Sequence, residues 1–172
     1  AINPGPQIML RYVYEELIAP AHGCIVTISI PKGEELAKQT LNPALGVVGG
    51  ISVLGTTGIV KLMSEDAYKR SLAPQVPVVW ASGIRTATLC PGRIGEHAAQ
   101  IMGIPKESII ETSNYIGYMM EQCVAKGFEK MLLIGHMGKL VKVASGSFHT
   151  YNRNSDGRME TMAAYAAMNG AA

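Results

Sequence analysis

The segment GGISVLGTTGIV, Gly49 to Val60, places Gly49, Gly50, Gly55 and Gly58 and the adjacent hydroxyls of Thr56 and Thr57 around a short apolar run. Glycine has no Cβ and adopts positive φ, so such residues let a backbone come close to a ligand. The spacing argues against the phosphate loop G-x-x-x-x-G-K-S/T. Gly50 and Gly55 fit it, but Thr56 stands where the phosphate-neutralising lysine belongs. The dinucleotide pattern G-x-G-x-x-G fails in register, and ISVLG is too apolar and β-branched to wrap a pyrophosphate. What remains is a turn at Gly49-Gly50, a strand, and a turn at Gly55-Thr56-Thr57-Gly58 open to a ligand. A plain hairpin accounts for the same residues.

Two further loops have the form strand, glycine, helix: PGRIGE after Cys90 and GHMGK after Ile134. That form sets helix-start N–H groups beside an anion, and each loop carries a cation, Arg93 and Lys139. If their strands are parallel neighbours, both loops open at the carboxyl edge of one sheet, where α/β domains bind ligands. A carboxylate-bearing substrate suits such an edge, although an ordinary strand-to-helix turn explains each loop alone. His136 reads equally as a ligand contact, an acid/base group or a helix-start histidine. His22, His97 and His149 are scattered and lack metal-site spacing. No serine-histidine-acid order stands out, and the ten methionines read as pliable core.

These loops need elements to position them. Ile8, Met9, Tyr12, Val13 and Leu17 fall at helical spacing, and CIVTISI, residues 24–30, alternates like a strand. EELAKQTL predicts a short helix that Asn42-Pro43 ends. SEDAYKRSL starts a helix with acidic residues in its first turn, and a second helical piece runs toward Ser82. TATLC, SIIETS and KMLLIG are predicted strands, the last of them buried. EHAAQIM, NYIGYMMEQCVAKG, HMGKLVKVASGSF and DGRMETMAAYAAM are predicted helices. The alternation argues for an α/β domain with a largely parallel sheet.

At 172 residues the chain is long enough for one domain with a hydrophobic core. Its 15 basic and 13 acidic residues nearly balance, which argues against nucleic acid and for a small-molecule partner. Cys24, Cys90 and Cys123 are odd in number and widely spaced, unlike a disulfide framework or zinc cluster, and fit a reducing cytosol. No apolar run reaches the roughly 18–20 residues of a membrane span, and no export signal is seen, so a cytoplasmic protein is expected. The opening AINPGP reads as a linker inside something longer.

Taken together, LNPALGVVGGISVLGTTGIVKLMSEDA, PGRIGE and LLIGHMGKLVKVASGSFHTYNRNSDGRMETMAAYAA resemble the CbiD family, the cobalt-precorrin-5B (C-1) methyltransferases of anaerobic cobalamin biosynthesis. The likeness runs from AINPGP to the end. Family chains are about twice as long, so residues 1–172 resemble the C-terminal half, a three-layer Rossmann-like α/β domain from a two-part protein whose N-terminal half is absent.

The resemblance implies methyl transfer from S-adenosylmethionine to C-1 of a cobalt tetrapyrrole. Cobalt arrives with the substrate, and no protein metal site is required. A sulfonium donor carries no phosphate, which agrees with the missing loop lysine. Gly49, Gly50, Gly55, Thr56, Thr57 and Gly58 are then expected to hold the donor. Arg93, His136 and Lys139 would meet the acidic substrate or the donor's carboxylate, with Lys142 and Arg85 or Arg158 as further partners for the macrocycle's carboxylate arms. No catalytic side chain is assigned. Two other readings stay open: a non-catalytic nucleotide-binding module, and an interaction half-domain inactive without the N-terminal half.

Overall fold

The structure, a computed structural model, describes residues 2–20, 22–55 and 64–170. These fall into two compact units, Ala1–Ser64 and Glu65–Ala172.

In the first unit, α1 (Pro4–Leu17) begins with two prolines in its first turn, where a missing N–H costs nothing. A short α2 (Gly33–Ala37) and a 3₁₀ turn (Pro43–Leu45) follow. Little of this unit is buried: Ile8, Tyr12, Val13 and Leu17 on α1 are all exposed. Residues 24–30 do not form the expected strand. Their side chains are exposed and no ladder bonds reach them among the described residues, because a β-branched run becomes a strand only when a partner takes its N–H and C=O groups. The expected strand over ISVLG is likewise reduced to a single bridge from Val53 to Ile2.

The second unit is α/β. Its elements are α3 (Glu65–Leu72), α4 (Gln75–Ala81), β1 (Thr86–Cys90), α5 (Arg93–Ile101), β2 (Ile109–Glu111), α6 (Ile116–Lys126), β3 (Lys130–Leu133), α7 (Met137–Ala144) and α8 (Arg158–Met168). Pro77 is tolerated in α4 because it lies in the first turn. Gly127 closes α6 with φ 96°, the conformation that lets the Gly127 N–H bond to Cys123 and Val124 carbonyls.

The three strands form a parallel sheet in the order β2-β1-β3. β1 is central: its Ala87, Thr88, Leu89 and Cys90 are buried, and Leu72, Val76, Ala99, Ile110, Ile116 and Met119 are a large part of the rest of this unit's buried apolar core. β3 is not the buried strand its sequence predicts. It is an edge with one neighbour, leaving Met131 37% and Leu132 40% exposed. On the other edge a side chain does the work of a strand. Buried Gln75 accepts from the Glu111 N–H at 2.9 Å and donates to the Glu111 and Leu72 carbonyls at 3.2 and 3.0 Å.

Candidate substrate site at the carboxyl edge of the sheet

All three strands run the same way, so the loops that leave them gather at one edge. After β1, Pro91 and Gly92 lead into α5; Gly92 takes φ 145° as its N-cap and accepts from the Gly95 and Glu96 N–H groups. A Cβ on Gly95 would clash with the Ile134 carbonyl oxygen and lie 3.2 Å from Gly135 Cα. This glycine therefore lets α5 press against the loop that leaves β3. A Cβ on Gly135 would in turn meet the Pro91 ring at 2.7 Å, so the two loops interlock at bare backbone.

After β3, His136 is the N-cap of α7, and its Nδ1 accepts from the Gly138 N–H at 3.1 Å. In the neutral ring the proton therefore sits on Nε2. After β2, Asn114 accepts through its carbonyl from the Thr150 N–H at 2.9 Å, which brings in the segment that follows α7.

Two lysines fasten these pieces. The Lys139 ammonium donates to the Pro91 carbonyl at 2.6 Å and the Ser113 carbonyl at 3.3 Å, so α7 is tied to the loops after β1 and β2. Burial lowers its pKa below the usual 10.5, opposed by Glu111 and reinforced by Lys142. Lys142, 2% exposed, donates to the Thr150 carbonyl at 3.2 Å and Asn152 Oδ1 at 2.8 Å. Glu111, at the end of β2, is pushed upward by burial and then by Glu96, with Lys139 and Arg93 pulling it back.

The loops enclose a cavity of about 500 Å³ whose lining includes Arg93, Asn114, His136, Lys139, Lys142 and Arg158. Four cationic side chains thus line it. They differ in what they have left to give. Lys139 and Lys142 are committed to protein oxygens, and Arg158 pairs with Asp156 at 3.1 Å. Arg93 is exposed and makes no hydrogen bond or ion pair among the described residues, so its donors are available to a ligand. Among the described residues no activated thiol stands nearby: burial pushes the Cys90 thiol up to about 11. Among the described residues no cluster of three His, Cys, Asp or Glu side chains could hold a metal.

Arg93, His136 and Lys139, singled out from the sequence, are thus brought together with Lys142 and Arg158. Arg85 is not: it precedes β1, stacks 3.7 Å over the Trp80 ring and donates to the Trp80 carbonyl. Gly49, Gly50 and Gly55 belong to the first unit and have φ of 78°, 157° and 150°. Thr56, Thr57 and Gly58 lie outside the described residues. Asn114 went unnoticed in the sequence because its loop, Thr112 to Tyr115, has neither the glycine nor the cation that marked the other two; only the parallel pairing of β2 with β1 brings it to the same edge.

The family model described as CbiD matches residues 1–62. Cobalt-precorrin-5B C(1)-methyltransferase from Moorella thermoacetica is 49% identical over 172 residues, 99% of this chain and 47% of that protein. Over nearly all of its own length the chain is similar to this CbiD-type protein. The protein of the same name from Methanocaldococcus jannaschii is 47% identical over 98% of this chain and 47% of its own length. The chain thus spans about half the length of the curated relatives it matches. A solved structure of the cobalamin biosynthesis protein (cbiD) from Archaeoglobus fulgidus is 22% identical over 83% of this chain and 42% of that one. Its TM-score is 0.29, too loose a superposition to bear on the CbiD fold.

Proposed function

We propose that this chain serves methyl transfer from S-adenosylmethionine to C-1 of cobalt-precorrin-5B in anaerobic cobalamin biosynthesis, as the C-terminal half of a longer cytoplasmic enzyme. The observation that carries the reading is the cavity at the sheet edge, lined from the loops of all three parallel strands and bearing four cations. A macrocycle with several carboxylate arms is complementary to it. The strand order supports a three-layer, Rossmann-like arrangement, since right-handed crossovers from β1 to β2 and from β2 to β3 put α5 and α6 on opposite faces.

The sulfonium donor supplies an electrophilic methyl group, the new carbon–carbon bond forming as the sulfur–methyl bond breaks. The chain's residues have the task of alignment. Arg93 and the His136 Nε2–H offer donors to carboxylates, while Lys139 and Lys142 hold the loops and keep the cavity positive. Orientation of this kind contributes roughly 7–11 kcal/mol to lowering a two-reactant barrier. Gly49, Gly50 and Gly55 are assigned to the donor with Thr56, Thr57 and Gly58; a Cβ added to Gly49 or Gly50 would meet nothing within 4 Å, so the backbone there is open.

The interaction-half reading has its own support, in the exposed apolar side chains of α1 and residues 24–30. It predicts turnover only when the remaining half of the relatives' length is supplied. The test is transfer of labelled methyl from S-adenosylmethionine to cobalt-precorrin-5B, by the chain alone and with that half present. Arg93→Ala should raise the tetrapyrrole KM about tenfold, less so at high salt. An unchanged KM at both salt levels would remove the cavity from the acceptor site.

A further inference from the structure

The cationic cavity adjoins a second one, of about 460 Å³, that the reading above leaves unused. α7 contributes Met137 and Val141 to it, and α8 contributes Met159 and Met162. His136, Gly138 and Arg158 border both cavities. Asp156 and Glu160 stand among its lining residues, and the Asp156 ion pair holds the Arg158 guanidinium at the shared border.

The two cavities differ in charge: the first carries four cations, whereas in the second Asp156 and Glu160 stand beside Arg158 and three methionines line the wall. Three thioethers and a valine offer a ligand no strong hydrogen bond, and Asp156 and Glu160 repel a carboxylate. Methionine is unbranched and polarisable, so it adapts to whatever apolar surface is laid on it. Met159 is 74% and Met137 62% exposed, apolar area that a ligand would remove from water. A ligand filling both cavities therefore has anionic groups at its rim and an apolar body.

We propose that the Met137, Val141, Met159 and Met162 cavity is a subsite for the flat apolar ring of a polycarboxylated tetrapyrrole whose carboxylate arms occupy the adjoining cationic cavity. This rests on the reading that the cationic cavity takes the acidic methyl acceptor. It adds that the ring itself, and not only its arms, is recognised by this chain.

Two probes separate the contributions in equilibrium binding to the 172-residue chain: coproporphyrin III, a ring with carboxylate arms, and butane-1,2,3,4-tetracarboxylate, the same number of carboxylates without a ring. The variant is Met159→Gln with Met162→Gln, similar in length and favourable in a helix, with circular dichroism to confirm that α8 persists. It should bind coproporphyrin about tenfold more weakly and the open-chain acid as before. Arg93→Ala should weaken both probes. Wild-type coproporphyrin affinity in the double glutamine variant, with Arg93→Ala still weakening both probes, overturns the ring subsite and leaves the acidic site standing. If Arg93→Ala weakens neither probe, both readings fall.

Discussion

The ammonium of Lys139 donates to the carbonyl oxygen of Pro91 at 2.6 Å, across 48 positions of sequence. With the second bond to Ser113, one side chain after β3 satisfies carbonyls after β1 and β2. The cation is part of the frame of the site as well as part of its charge.

Lys139→Met should therefore cost stability as well as binding. It leaves two carbonyls without their donor, worth about 1–3 kcal/mol for a part-buried group. Urea unfolding should show a lower midpoint with an unchanged slope. Arg93→Ala, which breaks no hydrogen bond or ion pair among the described residues, should unfold within about 0.5 kcal/mol of wild type.

His136 combines a structural role with an outward one, and two variants divide them. Asparagine at this position keeps a side-chain acceptor for the helix start, whereas alanine removes it at about 0.5–2 kcal/mol. Both lose the Nε2–H. If that group meets the substrate, His136→Asn and His136→Ala should raise the tetrapyrrole KM alike, while only the alanine variant melts early. A wild-type KM for His136→Asn would confine the residue to capping.

At Gly95 a single methyl group is excluded by the Ile134 carbonyl. Gly95→Ala should lower stability by about 1–3 kcal/mol through forced backbone displacement. Gly23→Ala, where nothing lies within 4 Å of an added Cβ and no helix end is involved, is the control and should stay close to wild type. Equal melting temperatures for the two would contradict the close approach of α5 to the β3 loop.

Glu111 sets a pH dependence whose sign follows from its raised pKa. The folded carboxyl holds its proton more tightly than the unfolded one, so the associated stability is present below the unfolded value and is lost as pH rises through the folded value. Relative to Glu111→Gln, the wild type should fare best in acid and lose ground as pH climbs from 4.5 through that higher value. Urea unfolding across this range measures the difference, and parallel curves would mean that Glu111 titrates normally.

The helices were legible because their signals are local. The spacing of α1, the acidic first turn of α3 and Gly127 at the end of α6 need no distant partner to be read. The site was legible in part for the same reason: PGRIGE and GHMGK announce strand-to-helix turns, and parallel strands bring them to one edge. What was hidden depends on pairing. CIVTISI has the residues of a strand but no ladder among the described residues, and KMLLIG is apolar enough for a core although the order β2-β1-β3 puts it outside. The bond from Lys139 to Pro91 could not be read either, since nothing in GHMGK shows that its cation faces a carbonyl 48 positions earlier.

The contact between Gly135 and the Pro91 ring has a consequence for genetics. In a saturation screen, alleles at Gly135 should drop out as completely as those at a ligand-binding position, although the residue does not line the cavity. Intragenic suppression tells the two apart. Pro91→Gly removes the ring that Gly135→Ala would strike yet keeps the carbonyl that Lys139 needs, so the pair should regain viability that Gly135→Ala alone lacks. A lesion at Arg93, which acts by withdrawing a charge from the cavity, has no such suppressor at Pro91.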